Sequence, residues 1–249
     1  MEKGFQLSSF STTGVPKFLC PHCGEGHLIA NIENIVTKQP AFSQGHQDHQ
    51  DWSPDWEIER FSLPFKCDKV SCGEYAFLIG ETGFEEYYEE EVETWVLASV
   101  FIPKAMFPAP MVISLPERTP KSVVSEIAAA SSLIWTDLDA CANRLRTAVE
   151  RLLDDLKIPK RKIVKGNKEA RMDLYERIEL FGKTQPDYEV SLQALRQVGN
   201  LGSHGDSVRR NVLSDAFEVF EYSLEEMLGM RKARIDEIRN KIISNKGVY

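Results

Sequence analysis

The period of the hydrophobic residues changes midway along this chain. In the first half the apolar segments are short and rich in β-branched and aromatic residues: 57–65 (EIERFSLPF), 75–79 and 95–102 (WVLASVFI). Their length and composition predict strands. The acidic stretch 84–93 (FEEYYEEEVE) fits either a short helix or a polar-faced strand. Five prolines between residues 103 and 120 deny the backbone donors that a helix or a central strand needs, which predicts an extended connector.

Beyond Pro120 the spacing becomes helical. Val124, Ile127, Ala128, Ser131 and Ile134 form one stripe. Asp137 is placed as an N-cap for a second helix, in which Leu138, Cys141, Leu145, Val149, Leu152 and Leu156 recur every three or four positions until Pro159. Leu174, Ile178 and Phe181 mark a third helix, ended by Gly182 and Pro186; Leu192, Leu195 and Val198 mark a fourth. Leu213, Phe217, Phe220, Leu224 and Met227 mark a fifth, and Ile235, Ile238 and Ile242 a sixth. No internal repeat is visible. The fold class is therefore α+β: a small β module over 1–119, including the proline-rich connector, then an all-α bundle of five or six helices over 120–249.

Composition is that of a globular protein: 249 residues, 42% hydrophobic and 27% charged. No apolar run approaches the roughly 20 residues of a membrane-spanning helix, and the first residues lack the apolar core of a secretory signal, so a cytoplasmic protein is expected. The net charge of −8 is unevenly placed: residues 1–120 hold 8 Lys and Arg against 18 Asp and Glu, whereas 121–249 hold 22 against 20. An acidic first half repels a phosphate backbone, so any nucleic-acid role falls to the second half.

Four of the five cysteines form two pairs, Cys20 with Cys23 and Cys67 with Cys72, and each pair is followed directly by a glycine, Gly24 and Gly73. Without a secretory signal, paired cysteines point to a metal before a disulfide. Two thiolates on one tight turn can reach the same ion, and glycine permits the positive φ that such a knuckle requires. The expectation is a structural zinc ion held by all four, closing a zinc ribbon with 45–56 (GHQDHQDWSPDW) as part of an insertion between the knuckles. Two alternatives stand: four reduced thiols, or a mixed site recruiting His22, His27, His46 or His49. Cys141 lies on a helical stripe and reads as a core residue.

Two segments of the second half carry candidate chemistry. In 160–168 (KRKIVKGNK), Lys160, Arg161, Lys162, Lys165 and Lys168 stand without an acid among them, a run that suits phosphates or else forms a solvated loop. In 195–205 (LRQVGNLGSHG) three glycines crowd the point where the fourth helix should end. One reading is a turn, with Gly199 or Gly202 as a left-handed cap, Asn200 and His204 tying it, and Asp206 or Ser207 capping the next helix.

The paired-cysteine module, the proline-rich crossover, 143–153 (NRLRTAVERLL) and 195–205 together resemble the bacterial domain-of-unknown-function family 4145, grouped with the HEPN superfamily of helical domains. The resemblance implies a setting in anti-phage or restriction defence and a homodimer formed through the helical domain. Active HEPN domains are metal-independent endoribonucleases. By that resemblance His204 would be the acid/base, Asn200 its orienter and Arg196 the phosphate clamp, with Arg209 and Arg210 as the alternative source of that charge and 160–168 holding the RNA backbone. A neutral imidazole can move a proton at a ribose 2′-oxygen, and a guanidinium can stabilise the charge on a pentacoordinate phosphate. The alternative is a non-catalytic dimerisation or adaptor module of a larger defence complex.

Overall fold

The computed structural model describes residues 9–46, 48–90, 93–204, 207–229 and 231–245, with the side chains of 203, 204, 231–233 and 236 outside the description. The chain divides into two compact units: Met1–Met111 with Ser131–Thr136, and Val112–Ala130 with Asp137–Tyr249.

The first unit is an antiparallel sheet. Its strands are β1 (Phe18–Leu19), β2 (His27–Ile29), β3 (Val36–Lys38), β4 (Arg60–Cys67), β5 (Tyr75–Glu89) and β6 (Thr94–Phe107). A short helix α1 (Ala41–His46) and two 3-10 turns, at Ile32–Asn34 and Pro54–Trp56, lie between β2 and β4. The order is β1-β2-β4-β5-β6, and β3 also pairs with β4. Alternation along β4 buries Phe61, Leu63, Phe65 and Cys67, and β5 adds Ala76 and Leu78. The rings of Phe10, Phe61 and Phe101 pack at 5.2–5.9 Å, Phe10 stacked on Phe101 and Phe61 edge-on to both.

Proline is accommodated in two strands, β4 and β6. On β4, β2 pairs with residues 66 and 67 and β3 with 60 to 62, leaving Pro64 in the gap between them. The Cys67 amide donates toward β5 (to Glu74 O, 2.8 Å), so the alternation of an antiparallel ladder turns the nitrogen of Pro64 the other way, into that gap. No ladder hydrogen bond is lost. The expected connector begins later than its prolines suggest, because β6 runs on through Pro103 to Phe107. The register shifts there: Ile79 faces Ala105 and Gly80 faces Pro103, leaving Lys104 as the extra residue of a bulge. The ambiguous acidic stretch is strand as far as Glu89, held by a long hairpin in which Tyr88 faces Trp95; residues 91 and 92 lie outside the described residues.

The second unit is helical with one β-hairpin. Its elements are α2 (Lys121–Leu133, whose last residues fall in the first unit), α3 (Leu138–Asp155), β7 (Arg161–Val164), β8 (Lys168–Arg171), α4 (Leu174–Gly182), α5 (Pro186–His204), α6 (Arg210–Leu228) and α7 (Arg231–Ser244). Asp137 caps α3 as expected, accepting from the Ala140 amide at 2.8 Å. The stripe of α3, Cys141, Leu145, Val149 and Leu152, is fully buried, and burial pushes the Cys141 thiol up to about 12. Leu213, Phe217, Phe220 and Leu224 of α6 are buried as well.

The structure corrects two expectations here. The basic loop is the β7–β8 hairpin: Val164 faces Lys168 across a three-residue loop, Lys165 to Asn167, in which Gly166 (φ 82°) and Asn167 (φ 57°) supply the positive φ that such a tight connection needs. The helices also start and stop differently. Pro186 opens α5 instead of closing α4, a first-turn position where its missing N–H is unneeded. No helix among the described residues is long and apolar enough to cross a membrane.

Candidate metal centre and helix-borne site

The sheet register brings the two cysteine pairs together. Leu28 of β2 faces Cys67 at the end of β4, so the turn before β2 and the turn after β4 lie at one end of the sheet. Each turn closes on itself: the Gly24 amide donates to Cys20 O at 3.0 Å, and the Cys72 and Gly73 amides donate to Lys69 O at 2.9 and 3.1 Å. Gly24 (φ 66°) and Gly73 (φ 63°) both take the left-handed conformation that the spacing requires.

All four sulfurs lie within 4.8 Å of one another, with Cys20–Cys72 and Cys23–Cys67 separations of 3.8 Å. A tetrahedron with metal–sulfur bonds of about 2.3 Å has edges of about 3.8 Å, so the cluster has the dimensions of one four-coordinate metal site. A disulfide, at about 2.05 Å, does not fit these separations. The amides of Glu25 and Gly26 point at Cys23 and bring its thiol down to about 6, whereas burial is the main cause that pushes Cys67 up to about 12. A divalent cation reverses the second effect by compensating the buried thiolate.

The histidines do not join this set. His46 and His49 pack against the Trp56 ring at 5.8 and 5.3 Å, and the His27 amide donates to Asp68. His22 Nδ1 sits 3.6 Å from Cys72 Sγ, beside a sulfur that the cysteine set already supplies. Lys69 pairs with Glu25 at 2.5 Å across the two knuckles, and that hydrogen bond holds the Glu25 carboxyl below its usual range.

In the second unit the geometry centres on α3 against α5. A Cβ on Gly199 would come within 2.4 Å of Arg146 Cβ, and one on Gly202 within 2.5 Å of the Asp139 carbonyl oxygen. Asn143 Nδ2 donates to Gly202 O at 3.2 Å, and Asp139 Oδ1 accepts from the Val208 amide at 3.0 Å. The glycines therefore let two helix backbones approach, and α5 continues through both of them to His204.

Residues 128–243 match the family model Domain of unknown function (DUF4145). Residues 8–106 match a separate model, Domain of unknown function (DUF8608). The resemblance drawn from sequence thus covers the helical part, and the cysteine module matches a different family. No curated protein and no solved structure matches the chain.

Within the DUF4145 region, Arg196, Asn200 and His204 fall four residues apart and so share one row along α5. This corrects the expected glycine turn: the glycines face α3 and do not unwind the helix before His204, whose side chain lies outside the described residues, as does Asp206. Arg196 donates from Nε to Gln193 Oε1 at 2.7 Å, and its guanidinium lies 5.3 Å from the centre of the Tyr175 ring. Arg209 takes the N-cap position of α6 without a side-chain cap. Arg210 is half-buried, and burial lowers its pKa from the ordinary guanidinium value.

The basic hairpin of the DUF4145 region is not free of countercharge. Lys160 meets Asp154 at 2.8 Å, Arg161 meets Glu169 at 2.9 Å, and Lys162 meets Glu176; Lys165 and Lys168 have no ion pair among the described residues. Asp154 also accepts from Arg177 at 2.8 Å. Burial works against its charge, but the hydrogen bonds from Lys160 and Arg177 outweigh that effect and hold the carboxyl below its ordinary value. A carboxyl lowered by folding stabilises the protein above its unfolded pKa, and that contribution is lost as pH falls through the folded value. Asp154→Asn is accordingly expected to lower stability at pH 7 by about 2 kcal/mol, the range for hydrogen bonds to charged groups. In urea titrations the gap to wild type should begin to narrow as pH falls below about 4 and keep narrowing toward the folded value; a gap unchanged between pH 7 and pH 3 rules out this origin.

Proposed function

We propose that the chain is a zinc-stapled protein of bacterial anti-phage defence whose HEPN-like helical region cuts RNA without a catalytic metal. The cysteine module is a zinc ribbon. Its four thiolates leave the ion no open position, so its task is to fold a small sheet. In the helical region His204 moves the proton at the ribose 2′-oxygen, Asn200 orients it and Arg196 stabilises the phosphate charge. Lys165 and Lys168, which have no ion pair among the described residues, contact the RNA backbone. The observation that carries this reading is the four-residue spacing of Arg196, Asn200 and His204 along one helix, which sets the three residues in one row of α5.

A second reading is favoured by the engagement of Arg196 with Gln193 and Tyr175: a non-catalytic dimerisation or adaptor module in a defence complex. The exposed stripe of Ile235, Ile238 and Ile242 on α7 supports a second copy of the chain as partner in either case. The test incubates wild type and His204→Ala with a structured RNA in buffer without added divalent cations. Cutting by wild type that the variant loses, with unchanged thermal melting, supports the nuclease. Absence of cutting in both supports the module.

A further inference from the structure

The sheet of the first unit turns Phe61, Leu63, Phe65, Ala76 and Leu78 into its core and leaves the opposite face open. On that face Phe77 of β5 stands between Pro64 of β4 and Phe107 of β6, and in the next row Tyr75 stands beside Lys66. Phe107 is 82% exposed, Phe77 53% and Tyr75 50%, and Ile29 and Ile79 at the margins are exposed as well. A contiguous apolar surface of this kind marks a place of binding. Neither phenylalanine ring packs on another aromatic ring among the described residues, so both are free to stack.

The acidity of this half of the chain does not extend to the open face. Lys38 and Arg60 lie at one end of the aromatic rows and Lys66 at the other, and none of the three has an ion pair among the described residues. Glu81 shares the row of Lys38 and Arg60, and Lys104 holds it at 2.7 Å. Glu33, in the turn after β2, accepts from Asn31 Nδ2 at 3.1 Å. Glu85, Glu86 and Glu89 fall on the part of the β5–β6 hairpin that runs past the end of β4. Lys66 Nζ lies 5.4 Å from the centre of the Tyr75 ring, which sets an ammonium beside an aromatic surface. The same pair lines a cleft of about 350 Å³ with Ile29, Pro64 and Asn34, whose side-chain amide has no hydrogen bond among the described residues.

We propose that this open sheet face binds single-stranded RNA, with bases stacked on Tyr75, Phe77 and Phe107 and phosphates held by Lys38, Arg60 and Lys66. Every base has a flat apolar face that an exposed ring can cover, and the strand that carries it is a polyanion. Unpaired cations at both ends of an aromatic row complement that combination. They work against a second copy of the same face, which would set cation against cation. A duplex hides its base faces in the stack and offers the rings nothing. The cleft between Tyr75 and Asn34 takes one base edge-on, with the amide as its hydrogen-bonding partner. The choice of RNA as the polynucleotide rests on the cleavage reading; the face itself does not, because it lies on the first unit and uses none of Arg196, Asn200 and His204.

The experiment is fluorescence anisotropy with a labelled, unstructured RNA of about 12 nucleotides, within the span of single-strand sites. The full chain carries His204→Ala, so that the probe survives, and Lys165→Gln with Lys168→Gln, so that the hairpin of the second unit contributes no contact. Saturable binding is expected, about tenfold or more tighter than to the same sequence as a duplex. Phe77→Leu and Phe107→Leu keep an apolar side chain at an exposed position but remove the ring, and each should weaken binding about tenfold with unchanged melting. Lys66→Gln should flatten the slope of log affinity against log salt by about 0.7. No saturation, equal affinity for the duplex, tighter binding of the matching DNA strand, or wild-type affinity in both leucine variants would each overturn the assignment. RNA cutting by wild type alongside unaffected leucine variants sinks this face alone; ring-dependent binding by a chain that cuts nothing sinks the cleavage reading alone.

Discussion

Cys67→Ser is expected to purify without bound metal and to lose the cooperative melting of the first unit, while the helical signal of the second unit persists. Cys67 is buried, ends β4 and faces Leu28, so it ties the cysteine cluster to the register of the sheet. Structural zinc in small domains contributes an apparent ~10–16 kcal/mol near neutral pH, and that binding energy is folding energy. The hydrophobic core of the first unit is modest, a few phenylalanines and leucines on one face of the sheet, which makes it dependent on such a staple. Plasma emission spectrometry should find one zinc per wild-type chain and close to none in the variant. Cys141→Ala is the control, since Cys141 sits in the helical core and should leave the metal content unchanged. A Cys67→Ser chain that retains equimolar zinc, or a chelator-stripped wild type with an unaltered melt, defeats the staple.

Gly202→Ala is expected to destabilise the second unit by about 1–3 kcal/mol, the range for overpacking a close contact. Helix propensity alone argues the other way, since alanine is favoured over glycine by about 1 kcal/mol in a helix interior. The contact decides the sign. The added methyl would meet the Asp139 carbonyl at 2.5 Å, a backbone atom on a packed helix that cannot swing aside as a side chain would. Moving α5 away from α3 would also stretch the hydrogen bond from Asn143 to Gly202 O. Gly199→Ala meets Arg146 Cβ at 2.4 Å, an atom fixed to the α3 backbone that rotamer changes cannot move, and should cost a similar amount. Guanidinium denaturation curves of the two variants compare these cases directly. A Gly202→Ala chain more stable than wild type would show that α5 has room to retreat.

Much of this architecture is legible from local pattern. The helical stripes of α3, α4 and α6 follow from the 3.6-residue period, and Asp137 announces the start of α3 because its carboxylate satisfies an otherwise free amide. The cysteine cluster is legible for a similar reason: two short cysteine spacings, each with a following glycine, are a local geometric requirement. The β7–β8 hairpin also has a local signal, the Gly166-Asn167 pair, but its flanking residues RKIV and KEAR lack the alternation that marks strands. Asp173 with Glu176 forms a capping box whose spacing is equally visible.

What the chain order could not convey is where a residue's neighbours come from. Gly199 and Gly202 have the sequence look of a helix end, and only the approach of α3 reveals that they lie inside a helix, because close backbone contact and a left-handed turn both select for a missing Cβ. Pro64 looks forbidden in a central strand until the gap between β2 and β3 is seen beside it. Lys160 and Lys162 look uncompensated until α3 and α4 bring Asp154 and Glu176 to them. Short-range conformational preference is stored in adjacent residues and can be read from them; packing and charge balance depend on atoms distant along the chain, and they exist only once the helices and strands have met.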